Sequence, residues 1–191
     1  MKHVTFVEED EENLTGMTVA ILATDGFEYD ELVGPRSALT QAGAKTVVVA
    51  PFPGQIAGMK STESAGTVEV DLTLDRARAK DFDALLVPGG TLSPDSLRTI
   101  QLAVELVREF SREGKPIATL SQAASALIEA DLVRGRKVTS WPAQKTDLRN
   151  AGATWVDRDA VVDGELVTGR SISALIEAAI AELARRRATR H

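Results

Sequence analysis

Residues 116–128, Pro-Ile-Ala-Thr-Leu-Ser-Gln-Ala-Ala-Ser-Ala-Leu-Ile, change period without a breaker. The first half is a short apolar run after Gly114-Lys115 and reads as a buried strand. The second half is rich in alanine, with apolar residues at helical spacing. No Gly, Pro or Asn separates the two, so the chain must turn sharply around Ser121. Thr119, Ser121 and Ala123 form a small-x-Ser-x-small pattern, which is what a nucleophile elbow needs: small neighbours let strand and helix crowd around a strained residue. A plain junction in which Ser121 caps the helix satisfies the same pattern.

The rest of the chain repeats this alternation. Residues 17–23 are a near-continuous apolar run, typical of a strand buried on both faces. Residues 28–42 read as a helix with Leu32, Leu39 and Ala42 on one stripe, and Pro35 fits there only at an irregular turn or helix start. Strands are expected at 45–50 and 81–87, a small hairpin at the sheet edge within 51–75, and one helix over 94–113. After the Ser121 turn come a helix to about Glu129, short strands at 138–140, 154–156, 160–163 and 166–168, a short helix over 143–150 and a closing helix over 172–187. Asp163-Gly164 is a hairpin signal. The fold class is therefore α/β, a mostly parallel sheet with helices on both faces. In such sheets sites lie beyond the carboxyl ends of the strands. There residues 24–28, residues 88–91 and the elbow at Ser121 should converge.

The 191 residues suggest a single domain over 17–191, preceded by an acidic extension over 1–16. The net charge of −6 argues against nucleic acid as a partner. The absence of cysteine removes disulfides, thiolate metal sites and a thiol nucleophile, and fits a reducing compartment. No apolar run approaches the roughly 20 residues of a membrane span, and the N-terminus lacks a signal-peptide core. A cytoplasmic protein is expected, away from membranes. There is no dinucleotide fingerprint or P-loop, and neither cofactor nor metal is expected.

Several stretches, in this order and at this spacing, resemble one family over residues 17–183. They are the first loop Ala-Thr-Asp-Gly-Phe-Glu-Tyr-Asp-Glu-Leu (23–32), Phe-Asp-Ala-Leu-Leu-Val-Pro-Gly-Gly (82–90), Gly-Lys-Pro-Ile-Ala (114–118), residues 132–143, residues 150–157 and the closing hairpin 161–170. The chain is similar to the ThiJ/PfpI family, in its intracellular protease and general-stress branch. The resemblance implies a flavodoxin-like sandwich, a homo-oligomer of two or more copies, and activities described as protease, chaperone, glyoxalase or deglycase. It also implies an elbow Cys followed by His, with a Glu from the first loop.

Here Ser121 stands at the Cys position, Gln122 at the His position and Glu28 at the Glu position, while the Pro-x-Asp that the resemblance implies after the hairpin is replaced by Ile172-Ser173-Ala174, so that Asp is absent. A serine hydroxyl needs an adjacent general base, and Gln122 cannot accept a proton. The two histidines, His3 and His191, lie near the chain ends. Catalysis would rest on Ser121 with Glu28. Gly89, Gly90 and the backbone amide of Gln122 could still present donors to a small anionic or carbonyl ligand. Three functions follow: a binding protein that has lost its nucleophile, a hydrolase using Ser121, and a chaperone-like stress protein working through its surface. An exposed apolar patch near Trp141 would favour the last.

Overall fold

The computed structural model describes residues 13–189. Its frame is a seven-stranded sheet. The strands are β1 (Thr18–Leu22), β3 (Lys45–Ala50), β6 (Leu72–Thr73), β7 (Ala84–Val87), β8 (Ile117–Leu120), β11 (Ala160–Asp163) and β12 (Leu166–Gly169). The order is β11-β12-β8-β7-β1-β3-β6, parallel except for the β11–β12 hairpin. The central strands are apolar on both faces because helices cover both faces. Side chains of alternate parity enter different cores: Ala20, Leu22, Leu85 and Ile117 in one, Val19, Ile21, Leu86 and Ala118 in the other.

The first core is closed by α2 (Ser93–Leu97), α3 (Gln101–Arg112), α4 (Ala124–Glu129) and α5 (Lys145–Asn150), with Phe82 and Phe110 stacked at 6.2 Å. The second is closed by α1 (Tyr29–Gln41) and α6 (Ile172–Ala188), through Leu32, Leu39, Leu175, Ile180 and Leu183. Two small sheets lie outside the frame. One joins β2 (Phe27–Glu28), β4 (Gln55–Lys60) and β5 (Glu63–Glu69); the other joins β9 (Lys137–Val138) and β10 (Thr154–Trp155).

Three expectations change. Helix α1 runs through Pro35, whose ring is buried on the apolar stripe, so packing offsets the hydrogen bond that proline removes. The single helix over 94–113 is broken between α2 and α3: Thr99 Oγ1 donates to the Ser96 carbonyl, and Ile100 is extended. The packed body also begins before residue 17. Leu14 is fully buried and its N–H donates to the Ala42 carbonyl at 2.7 Å. The remainder of the acidic extension, 1–12, lies outside the described residues. Among the described residues no helix is long and apolar enough to cross a membrane.

Candidate functional site

The loops after β1, β7 and β8 meet where the parallel sheet places its carboxyl ends. Glu28 N–H donates to the Gly89 carbonyl at 2.9 Å, tying the first loop to the glycine turn. The Thr24 N–H donates to Ser93 Oγ at 3.0 Å, tying it to the start of α2.

Ser121 follows β8 directly, opens a single turn of 3-10 helix and has φ 52°. That left-handed conformation costs a residue with a side chain about 1–2 kcal/mol. The neighbours that hold it are identifiable. Its carbonyl accepts the Trp141 N–H at 3.2 Å, and Gln144 Nε2 donates to the next carbonyl, that of Gln122, at 2.8 Å. Ser121 is buried, and its hydroxyl donates to Glu31 Oε1 at 2.6 Å.

The sequence places Glu28 beside this hydroxyl; the structure places Glu31 there instead. Glu28 is the last extended residue before α1, and its carboxylate accepts the Ser61 N–H at the tip of the β4–β5 hairpin, 3.2 Å away. Glu31 is one helical turn further on and faces inward. It shares the buried face of α1 with Pro35 and Leu39, four and eight residues later, and that spacing was visible in the sequence. Burial pushes the Glu31 carboxyl above its ordinary range. The hydrogen bonds from Ser121 and the Gly89 N–H act against the shift, and the nearby charge of Glu28 adds to it.

The glycine turn is built around this carboxyl. The Gly89 N–H donates to Glu31 Oε2 at 2.7 Å, and a side chain at Gly89 would run into that oxygen. Gly90 has φ 117°, and a Cβ there would stand 2.6 Å from both Glu28 N and Gly26 O. Its N–H faces Gln122 Oε1 at 3.4 Å. Of the three donors expected for a ligand, Gly89 is therefore committed to Glu31 and Gly90 is directed at Gln122. The backbone N–H of Gln122 remains.

Ser121 and Gln122 floor a cleft of about 390 Å³. Glu28, Asp30 and Glu31 form one wall, Ser61, Thr62 and Thr91 the rim, and Trp141 and Ile172 the apolar side. Trp141 is 50% exposed, so the indole is a surface of the cleft and not part of the core. Trp155, by contrast, is half-buried and donates to Ser140 Oγ. Among the described residues no lysine or arginine lines the cleft, and Lys60 is paired with Asp30 at 3.0 Å. Such a lining favours a neutral ligand over an anion. The sequence reading missed Glu31, Gln144 and the Ser61–Thr62 tip. The last two are brought in by pairing with distant residues and leave no local signal.

The site can be compared with known proteins. A deglycase of Pyrococcus abyssi is 40% identical over 154 residues, spanning 81% of this chain and 90% of the relative. General stress protein 18 of Bacillus subtilis is 35% identical over 157 residues, spanning 82% of this chain and 90% of the relative. The DJ-1/ThiJ/PfpI-like part of a two-domain protein from Anabaena variabilis, which also has a ferritin-like domain, superposes with a TM-score of 0.82 at 34% identity. That match covers 87% of this chain and 48% of the other. The DJ-1/PfpI family profile matches residues 17–184, from the first buried strand into the last turns of the helix that closes the second core. With fold, loop order and sequence in agreement, the chain belongs to the DJ-1/PfpI family, in a form that has no cysteine at all.

Proposed function

We propose that this chain is a cytoplasmic, stress-related binding protein, working as a homo-oligomer, in which the elbow serine positions a ligand and does not attack it. The observation that carries this reading is the 2.6 Å hydrogen bond from the Ser121 hydroxyl to the buried Glu31 carboxyl, with no imidazole anywhere in residues 13–189. A carboxylate is a weak base for an alcohol, even with its proton affinity raised by burial. The oxyanion of an attacked carbonyl would also find the Gly89 N–H already taken by Glu31. Relatives named deglycase and general stress protein support the broader role in stress.

The same 2.6 Å contact supports a second reading, a slow hydrolase with Ser121 as nucleophile and Glu31 as base. A fluorophosphonate probe separates the two. The wild type stays unlabelled under the binding reading, and stoichiometric labelling at Ser121 establishes the hydrolase. Ser121→Cys should gain a thiolate that alkylates with iodoacetamide, because a thiol loses its proton far more readily than an alcohol. A Ser121→Cys thiol as inert as a buried structural cysteine would refute the proposed use of this pocket.

A further inference from the structure

We propose that the cleft binds a neutral carboxamide, the ligand carbonyl meeting Gln122 Nε2 and the ligand N–H meeting Ser121 Oγ. This rests on the binding reading and names its ligand class.

The two residues that stand where the family has cysteine and histidine differ in hydrogen-bonding capacity. The Gly90 N–H faces the Gln122 side chain at 3.4 Å. A backbone N–H must face the oxygen of an amide, so Gln122 Nε2 with its two hydrogens is turned away from Gly90. Among the described residues no acceptor meets that nitrogen, and Gln122 lines the cleft. Ser121 has the opposite character. Its hydrogen is committed to Glu31 Oε1, so what it offers the cleft is oxygen lone pairs. Two consecutive residues that line one cleft thus hold a donor and an acceptor.

The complement of that pair is a group with an acceptor and a donor on one carbon, a carboxamide. Other groups fit worse. A carboxylate has two acceptors and no donor, and would face Ser121 Oγ and the carboxylates of Glu28 and Asp30. A ketone satisfies Gln122 and leaves Ser121 unmet. An ammonium is drawn by the carboxylates of Glu28 and Asp30 and satisfies Ser121, but it leaves the Gln122 NH₂ without an acceptor. Trp141 adds a half-exposed indole along the cleft for a planar group to cover.

Benzamide, benzoate and acetophenone make the test, because they share a ring and differ only at the donor–acceptor pair. Binding to the full chain is measured at pH 8 by saturation-transfer NMR. Benzamide should bind about tenfold more tightly than either analogue, the effect of one hydrogen bond gained or left unmet. Gln122→Glu keeps an oxygen for the Gly90 N–H while replacing the donor by an acceptor, and should lower benzamide affinity by about tenfold or more. If that variant does not fold, Ser121→Ala serves: it should abolish the preference of benzamide over acetophenone. Equal binding of the three probes, a preference for benzoate, or no benzamide signal up to its solubility would each overturn the inference. Fluorophosphonate labelling of Ser121 would instead overturn the binding reading beneath it.

Discussion

Replacing Glu31 by glutamine tests the electrostatics of the site without removing its shape. Glu31 is 9% exposed and accepts hydrogen bonds from Ser121 and Gly89. Burial raises its pKa, so the folded chain holds the proton more tightly than the unfolded chain does. The folded state therefore binds more protons than the unfolded one between the ordinary value, 4.5, and the raised value. Stability from this group is complete below pH 4.5 and falls as pH rises through that window. The slope approaches about 1.4 kcal/mol per pH unit for one proton. Glutamine does not titrate. It offers an oxygen to the Gly89 N–H and an NH₂ group to Ser121 Oγ, so it keeps both contacts. Urea unfolding of the wild type and Glu31→Gln, pH unit by pH unit from 4 to 9, should give a stability difference that grows in favour of the variant with rising pH and then levels off. For a chain of this size each kcal/mol moves the thermal midpoint by about 2–4 °C. Glu165 and Glu182, whose carboxyls are held low by arginine partners against the opposing effect of burial, are common to both proteins and cancel in the difference. Glu31→Ala is the complementary control. It strands the Gly89 N–H in a buried site, at about 1–3 kcal/mol. A wild type to Glu31→Gln difference that stays flat across this range, or that favours the wild type at high pH, would refute the placement of a buried carboxyl beneath Ser121.

Two other expectations test the frame. Phe110 is fully buried and stacked on Phe82, so Phe110→Ala should cost about 3–5 kcal/mol by denaturant unfolding, and a cost below 1 kcal/mol would contradict the core described. Light scattering at micromolar concentration should give a mass at least twice the 20.4 kDa of one chain, and a persistent 20.4 kDa species would refute the homo-oligomer.

The frame was legible because its strands are short apolar runs between helices of clear period. β3 and β11 fall where the sequence sets them, at 45–50 and 160–163. The β4–β5 hairpin also falls within the expected 51–75, but the strand β2 that pairs with it, in a sheet outside the frame, was not legible. A two-residue strand has no period to read, and β2 exists only because Phe27 and Glu28 pair with Gly58 and Met59 across the chain. Ser121 was legible as a strained turn, since nothing between strand and helix relieves the change of direction. The carboxyl beside it was misassigned by one helical turn. A glutamate on an apolar stripe reads as an exposed residue until its burial is known, although Glu31, Pro35 and Leu39 stand at consistent helical spacing. The commitment of the glycine-turn donors was not legible at all. It depends on where the Glu31 and Gln122 side chains point, which spacing does not encode.

Under the proposed reading, the strain at Ser121 and the chemistry expected of such a position separate. A left-handed residue that costs about 1–2 kcal/mol persists only where its surroundings fix it. Here the backbone carbonyls of Ser121 and Gln122 are held by Trp141 and Gln144, and the side chain by Glu31. None of these contacts requires a thiol or an imidazole. The turn is thus maintained by the fold, and the residues standing on it decide its use. With cysteine and histidine, such a turn presents a nucleophile beside a proton acceptor. With Ser121 and Gln122, the hydroxyl hydrogen is turned inward to a buried carboxyl and the amide oxygen takes the Gly90 N–H, so under the proposed reading one backbone geometry presents a hydrogen-bonding pair instead.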